Sequence, residues 1–229
     1  MNRFNHQLLE IFEKNPDFAE AKYLSNIRDN SEIAGSQFHL IMQQIGLGLP
    51  VEPFLERYPQ IASWVDKVKP FLNLPGSKEW NAELQYYYQY NMIYSQYDLV
   101  VYGENQVIGF DWTIQKPTKF ETLEEKYQTQ LRLFLLHQKT VLRYDSVSLI
   151  YLFVNSDDFP IYQFTYSKAR HTAFKERLER TLAPFTEQAG KETVSDKTLL
   201  EKHNENLQKL FRQEITGEEY LATIPEVEI

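Results

Sequence analysis

The stretch that decides the fold runs from Tyr97 to Pro117, with the sequence YDLVVYGENQVIGFDWTIQKP. Two runs rich in β-branched and aromatic residues flank a Gly-Glu-Asn turn signal, which predicts a β-hairpin. If the turn centres between Glu104 and Asn105, position i faces position 209 − i, and Asp98 lies opposite the second aspartate of the stretch, Asp111. Side chains that face each other in this way share one side of the sheet, with Cβ atoms ~5 Å apart.

Two negative charges placed so close together destabilise a sheet unless something neutralises them. A divalent metal ion would do so, because carboxylate oxygens are its preferred ligands. A shift of one residue in the register would place Asp98 and Asp111 on opposite faces and remove the site. The sequence therefore predicts a metal site at these two acids, conditional on the register.

The stretch resembles the core hairpin of the PD-(D/E)XK nuclease superfamily. Both have, in this order, an acid, a short turn, an apolar strand, Asp-Trp and a nearby lysine. The likeness is greatest to its RecB-like branch, whose second strand usually ends in an Asp-Trp/Tyr-Lys-Thr motif. Here the segment is Asp111-Trp112-Thr113-Ile-Gln-Lys116-Pro, so the lysine expected directly after Trp112 is absent.

Two further segments are similar to patterns of this branch. A predicted helix over residues 31–45 contains Gly35-x-x-x-His39, which matches a Gly-x-x-x-His pattern whose histidine reaches the metal. Residues 127–134 resemble the Gln-x-x-x-Tyr helix of the branch, with Gln130 as the glutamine and Phe134 in place of the tyrosine. Spacing alone leaves another interpretation open for each residue: His39 on an apolar core face, and Gln130 at a solvated helix position.

Composition narrows the class of protein. A chain of 229 residues suits one domain, and 42% hydrophobic and 14% aromatic residues are typical of a packed core. The absence of cysteine excludes disulfides, thiolate zinc sites and iron–sulfur clusters. No signal peptide or long apolar span is visible, so we expect a cytoplasmic protein without a membrane partner. The net charge of −8 argues against a broadly basic nucleic-acid binder, although a metal ion would cancel clustered acids locally.

The hydrophobic pattern outlines the remaining elements. It predicts helices over 4–14, 18–27, 31–45, 122–139 and 168–187, and strands over 82–94, 146–154 and 161–166 around the hairpin. Residues 46–80, with their many prolines, are expected to form short helices. A polar linker (188–196) and helices over 198–213 and 218–221 complete the chain. Glu83 begins the strand at 82–94, where related nucleases often place another acid, but an edge-strand charge is the favoured interpretation.

The resemblance implies a restriction-endonuclease-like α/β fold, with an αβββαβ core and a mixed central sheet flanked by helices. It implies an N-terminal helical region (1–80), a nuclease-like core (81–186) and a C-terminal helical tail (187–229). It also implies Mg²⁺ or Mn²⁺ held by His39, Asp98, Asp111 and the Trp112 carbonyl. Lys116 is the nearest cation that could replace the missing lysine.

Three functions remain open on the sequence. The first is a metal-dependent nuclease that hydrolyses DNA, with Gln130 supporting the active site or a backbone phosphate. The second is a catalytically inactive module of the same fold that binds DNA, another nucleic acid or a protein partner; the net acidity and the lost lysine favour it. The third is a structural protein in which Asp98 and Asp111 are unrelated in space.

Overall fold

The computed structural model describes residues 3–14, 33–88, 91–185, 206 and 216. The chain divides into two compact units, Met1–Thr181 and Leu182–Ile229, and the elements below belong to the first. The predicted helix at 18–27, the linker at 188–196 and almost all of the predicted C-terminal helices lie outside the described residues.

The described elements are six α-helices, a short 3₁₀ helix (Tyr144–Ser146) and six strands, with a further helical segment over residues 168–181. The helices are α1 (His6–Lys14), α2 (Ile33–Gly46), α3 (Glu52–Leu55), α4 (Pro59–Leu72), α5 (Phe120–Glu125) and α6 (Tyr127–Gln138). The strands are β1 (Arg3–Phe4), β2 (Ser77–Tyr88), β3 (Asn91–Tyr102), β4 (Val107–Thr113), β5 (Val147–Phe153) and β6 (Ile161–Thr165).

All six strands form one mixed sheet. Its order is β1-β3-β4-β5-β6, with β2 paired to β3. The β1–β3 and β4–β5 pairs are parallel, and the β2–β3, β3–β4 and β5–β6 pairs are antiparallel. The succession α2, β2–β4, α6, β5 is the predicted αβββαβ order, so the predicted mixed α/β fold class is confirmed. In the described residues no helix is long and apolar enough to cross a membrane.

Several predicted boundaries differ from the structure, among them the start of β2 at Ser77, inside the stretch 46–80 predicted as short helices. The first helix begins at His6 because Phe4 belongs to β1, where it is paired with Ile93. The strand predicted at 82–94 is the end of β2 and the start of β3, which makes Asp98 an interior residue of β3. The helix predicted at 122–139 is interrupted at Lys126, whose ψ of 140° is extended. Neither break contains the glycine or proline that would reveal it in the sequence.

Helices cover both faces of the sheet. On one face α2 and α4 pack their apolar side chains against β3, β4 and β5. That core includes Phe38, Trp64, Leu99, Phe110 and Trp112. On the other face lies α6, where Phe134 meets Tyr86 of β2 edge-on with ring centroids 5.7 Å apart. The central strands are therefore covered on both sides, as their nearly continuous apolar sequences require.

The alternation of side chains between the two faces changes at one point in β2 and β3. The ladder pairs Trp80 with Leu99 and Ala82 with Tyr97, but the intervening pair Asn81–Asp98 is missing, and Asn81 has a φ of +49°. Leu99 packs in the α2–α4 core, whereas the Tyr97 hydroxyl donates a hydrogen bond to a carbonyl of α6. Two residues that should share a face thus point to opposite faces, with Asp98 at the irregularity between them.

Gly109 allows α6 to approach the sheet, which gives a first testable prediction. A Cβ atom at Gly109 would lie 2.9 Å from both Leu136 Cδ1 and Tyr97 Cδ1. We expect Gly109→Ala to lower the free energy of unfolding by about 1–3 kcal/mol, since overpacking forces neighbouring side chains to shift. Chemical denaturation would measure the loss. Gly35→Ala is the matched control, because its Cβ would meet only the flexible end of Ile114, at 3.2 Å. An equal loss in both variants would contradict the packing argument.

Candidate active site

A fork between β3 and β4 forms the centre of the candidate site. The four pairs of this hairpin, from Leu99–Phe110 to Tyr102–Val107, follow the predicted relation between positions i and 209 − i, and the ladder ends before the predicted Asp98–Asp111 pair. Towards its N-terminus β3 pairs instead with β1. At the fork the backbone amide of Trp112 donates a hydrogen bond of 2.8 Å to Asp98 Oδ2. The Asp98 carboxylate therefore replaces a missing strand neighbour and links the two strands.

His39 approaches the fork from α2. Its Nδ1 lies 2.7 Å from the second oxygen of Asp98, Oδ1. Burial by itself would lower the pKa of His39, but the hydrogen bond and the charge of Asp98 outweigh it and the pKa is raised. The pKa of Asp98 is also raised, first by its own burial and then by the charge of Asp111, against the lowering effect of His39. The structure thus brings His39 and Asp98 together, as the family resemblance implied.

Arg132 reaches the second acid from α6, on the other side of the sheet. Its guanidinium forms an ion pair with Asp111 Oδ2 and donates a hydrogen bond of 3.3 Å to the Tyr151 hydroxyl. Arg132 is only 7% exposed. Desolvation would lower its pKa, but the charge of Asp111 reverses the effect and the pKa is raised above its ordinary value. The arginine therefore remains fully charged inside the protein.

His39, Asp98, Asp111 and Arg132 form what we call the charge row, in which two basic groups flank two acids. Asp98 responds to the charge of Asp111, and His39 responds to the charges of Asp111 and Arg132, so the four groups interact electrostatically. Arg132 supplies part of the positive charge that was predicted to come from a metal ion and to neutralise the two acids. Sequence reasoning missed this residue, although an arginine between two buried leucines, Leu131 and Leu133, was a signal.

Gln128 and Gln130 of α6 lie on different sides of the helix. Gln128 stands one turn before Arg132, and with its amide oxygen turned towards the guanidinium it accepts hydrogen bonds of 3.2 Å from both terminal nitrogens. Gln130 Oε1 instead accepts a hydrogen bond of 2.9 Å from Arg177. Arg177 also forms a two-nitrogen contact with Glu13 of α1. Gln130 therefore belongs to a network that joins α1, α6 and residues 168–181, and Gln128 faces the charge row.

Lys116 lies in an exposed segment beyond the end of β4. The Thr113 hydroxyl accepts a hydrogen bond of 3.1 Å from the Gln115 amide, and Asn155 Nδ2 donates one of 3.2 Å to the Ile114 carbonyl. Residues 114–115 consequently bend away from the strand direction. Within the described parts of the chain, Lys116 makes no hydrogen bond or ion pair. The structure thus does not place its ammonium on the acids.

Glu83 lies away from the charge row, in β2. It forms an ion pair of 2.8 Å with Arg3, and both side chains are partly exposed. Among the described strands β2 pairs with β3 alone, so Glu83 lies on an edge strand of the sheet. The favoured prediction of an edge-strand charge agrees with this position.

The donor set at the fork matches a hard divalent cation in chemical type, because it offers two carboxylates and an imidazole. Within the described residues, however, no group of three or more His, Cys, Asp or Glu side chains is arranged to hold a metal ion. His39 is directed at Asp98, and Asp111 is directed at Arg132. The residue types match those that bind Mg²⁺ or Mn²⁺, but in this structure they are not arranged as a metal site, and the positive charge of Arg132 lies beside Asp111.

Comparison with known proteins gives distant structural likenesses. No family model matches the sequence. No curated protein matches it either. A crystal structure titled "Putative exonuclease", from Eubacterium rectale, is similar with a TM-score of 0.49 and 7% identity, covering 80% of this chain and 79% of that one. The crystal structure of SSO0001 gives a TM-score of 0.41 and 14% identity, covering 80% and 76%.

Proposed function

We propose that this protein hydrolyses phosphodiester bonds of nucleic acid with the help of a divalent cation, with DNA as the substrate to test first. The observation that supports the proposal is the His39–Asp98 contact at a strand fork, with Asp111 near enough for its charge to raise the pKa of Asp98, within an αβββαβ arrangement of elements. Partly buried carboxylates and an imidazole are costly in a structural core, and they are ligand types that a hard cation accepts.

Each residue has a distinct part in this proposal. Asp98, Asp111, His39 and the Trp112 carbonyl would hold Mg²⁺ or Mn²⁺, which when bound polarises a phosphate and lowers the pKa of an attacking water. His39 and the Trp112 amide orient the Asp98 carboxylate through their hydrogen bonds. Both oxygens of Asp98 are thereby fixed before any substrate arrives, which reduces the reorganisation that the reaction requires.

Lys116 is the proposed source of positive charge for the substrate phosphate. In the resembling nucleases a lysine follows the Asp-Trp pair, whereas this chain has Thr113 at that position. The bend that begins at the Thr113 hydroxyl redirects the following segment, and Lys116 is solvent-exposed. An exposed ammonium on a side chain of ~6 Å can meet an incoming phosphate without first breaking an internal ion pair.

A catalytically inactive module of the same fold is the second candidate. The ion pair between Arg132 and Asp111 favours it, because a guanidinium already compensates one of the two acids. In that case the charge row stabilises the fold, and binding of a nucleic acid or of a protein partner would be the remaining function.

Cleavage of end-labelled linear DNA and RNA in the presence of Mg²⁺ or Mn²⁺ separates the two candidates. We expect the wild-type protein to cleave one of these substrates and a chelator to stop it. The Asp111→Asn variant gives the cleavage rate without the proposed ligand. Asp66→Asn is the control for the loss of an acid elsewhere and should cleave like wild type, since Asp66 forms an exposed pair with Lys69. If wild type and Asp111→Asn give the same rate, the proposal fails; if neither cleaves either substrate, the inactive module is favoured.

A further inference from the structure

A cavity of about 530 Å³ opens at the C-terminal end of α6, away from the charge row. Its lining comes from His137 of α6, from residues 140–145 and from residues 166–168. The strand β5 begins just after this lining, four residues before Tyr151, which pairs with Asp111. The cavity is therefore about 13 Å along the strand from the charge row. Its volume is in the range of small-molecule sites.

Three of the lining residues form an aromatic cluster. Tyr144 stacks on His137, with the rings 6° from parallel and their centroids 4.3 Å apart. Tyr166 lies 5.5 Å from the first of these rings, His137, and 5.9 Å from Tyr144. Burial lowers the pKa of His137, so its ring is uncharged at neutral pH. Because Val141 of the same lining is fully exposed, apolar surface is open here to the flat face of another ring.

Positive charge and hydroxyl groups complete the lining. Arg143 and Lys168 are both exposed. Arg143 pairs with Asp145, but the two side chains are 85% and 60% exposed, so the pair is weak and a phosphate can replace the carboxylate. The Ser167 hydroxyl accepts a hydrogen bond of 3.2 Å from the Arg170 amide and caps the helical segment that follows. The positive end of that helix therefore also favours an anion in the cavity.

We propose that this cavity binds a nucleotide, with its base against the ring of Tyr144 and its phosphate between Arg143 and Lys168. When Arg143 turns to the phosphate, the Asp145 carboxylate loses its partner, and a sugar hydroxyl can donate to it instead. A simple aromatic acid has no such donor, so the mixed charges of the lining favour a nucleotide. The inference goes beyond the proposed function, since it requires neither a metal ion nor cleavage. A free nucleotide and one nucleotide of a single strand share this chemistry.

The test is calorimetric titration with adenosine monophosphate and with a short single-stranded oligoadenylate, in the presence of a chelator so that no cleavage occurs. We expect Tyr144→Leu to bind about tenfold more weakly than wild type, because it loses the stacked base. Lys168→Gln should also bind more weakly, and its affinity should depend less on salt, because one phosphate contact is lost. Adenosine, which lacks the phosphate, should bind more weakly than adenosine monophosphate.

Two matched controls should bind like wild type. Tyr58→Leu removes another exposed tyrosine that stacks on a ring, that of Phe54. Lys78→Gln removes an exposed lysine of β2. Neither residue lines the cavity.

The outcomes separate the two sources of the nucleotide. Binding of adenosine monophosphate that both variants weaken identifies a free nucleotide as a ligand, and the same result with the oligoadenylate alone identifies a nucleotide within a strand. The inference is overturned if neither probe binds at millimolar concentration, if Tyr144→Leu or Lys168→Gln binds like the controls, or if the phosphate adds nothing to the affinity of adenosine. None of these results bears on metal-dependent cleavage at the fork, which is tested separately.

A measurement on the wild-type protein covers the case in which Tyr144→Leu does not fold. The ring protons of Tyr144 and His137 can be followed by NMR while the nucleotide probe is added. We expect both sets of signals to shift in step with binding, because a stacked base changes the ring current around them, while those of Tyr58 stay constant. Signals of Tyr144 and His137 that remain unchanged at saturation would overturn the inference.

Discussion

Arg132→Met is expected to lower the free energy of unfolding by about 3–5 kcal/mol, the cost of leaving a partly buried charge without its partner. The Asp111 carboxylate is 17% exposed, so little water is available to replace the guanidinium. Methionine keeps most of the side-chain volume, which limits the contribution of a cavity. Urea denaturation at neutral pH and without divalent metal would measure the change.

Two further variants separate the charge effect from packing. Adding Asp111→Asn to Arg132→Met removes the uncompensated charge and should recover more than half of the lost stability. Arg143→Met breaks an ion pair whose side chains are 85% and 60% exposed, and it should cost less than about 1 kcal/mol. If the double variant is no more stable than Arg132→Met, packing rather than charge accounts for the role of Arg132.

The hairpin and its register could be predicted because they depend on local signals. The Gly-Glu-Asn turn fixes which residues of β3 and β4 face each other, and the alternative register would have moved every apolar side chain to the other face. The contact between His39 and Asp98, 59 positions apart, came from a family pattern and not from composition or spacing. In the structure His39 lies at Asp98, as that family pattern implied.

Arg132 and the irregularity at Asp98 could not be predicted in the same way. An arginine within a helix usually extends to solvent, and only the packing of α6 over β4 turns Arg132 inward. Gly109 permits this close approach, but a glycine in a strand has several possible reasons. The missing Asn81–Asp98 pair depends on a non-glycine residue with positive φ, for which Asn81 is only a weak signal.

Lys116→Ala is expected to reduce single-turnover cleavage by ~10²-fold or more, because phosphodiester hydrolysis gathers negative charge that a single cation only partly compensates. Lys116 is exposed and makes no internal ion pair within the described residues, so its removal should leave the stability of the free protein unchanged. Metal binding should also be unchanged, since the acids at the fork are untouched. An effect on the rate alone, without one on stability or metal affinity, would assign Lys116 to the substrate phosphate.

Lys119→Ala is the matched control, since Lys119 is another exposed lysine of the segment that follows β4. It should alter cleavage by less than threefold, on the order of what the loss of one screened surface charge produces. Thr113→Lys tests the same idea from the other side: it restores the lysine after Asp-Trp but removes the hydroxyl that accepts the Gln115 amide. If Lys116→Ala cleaves as fast as wild type while Thr113→Lys cleaves faster, the charge belongs at position 113 and Lys116 does not replace it.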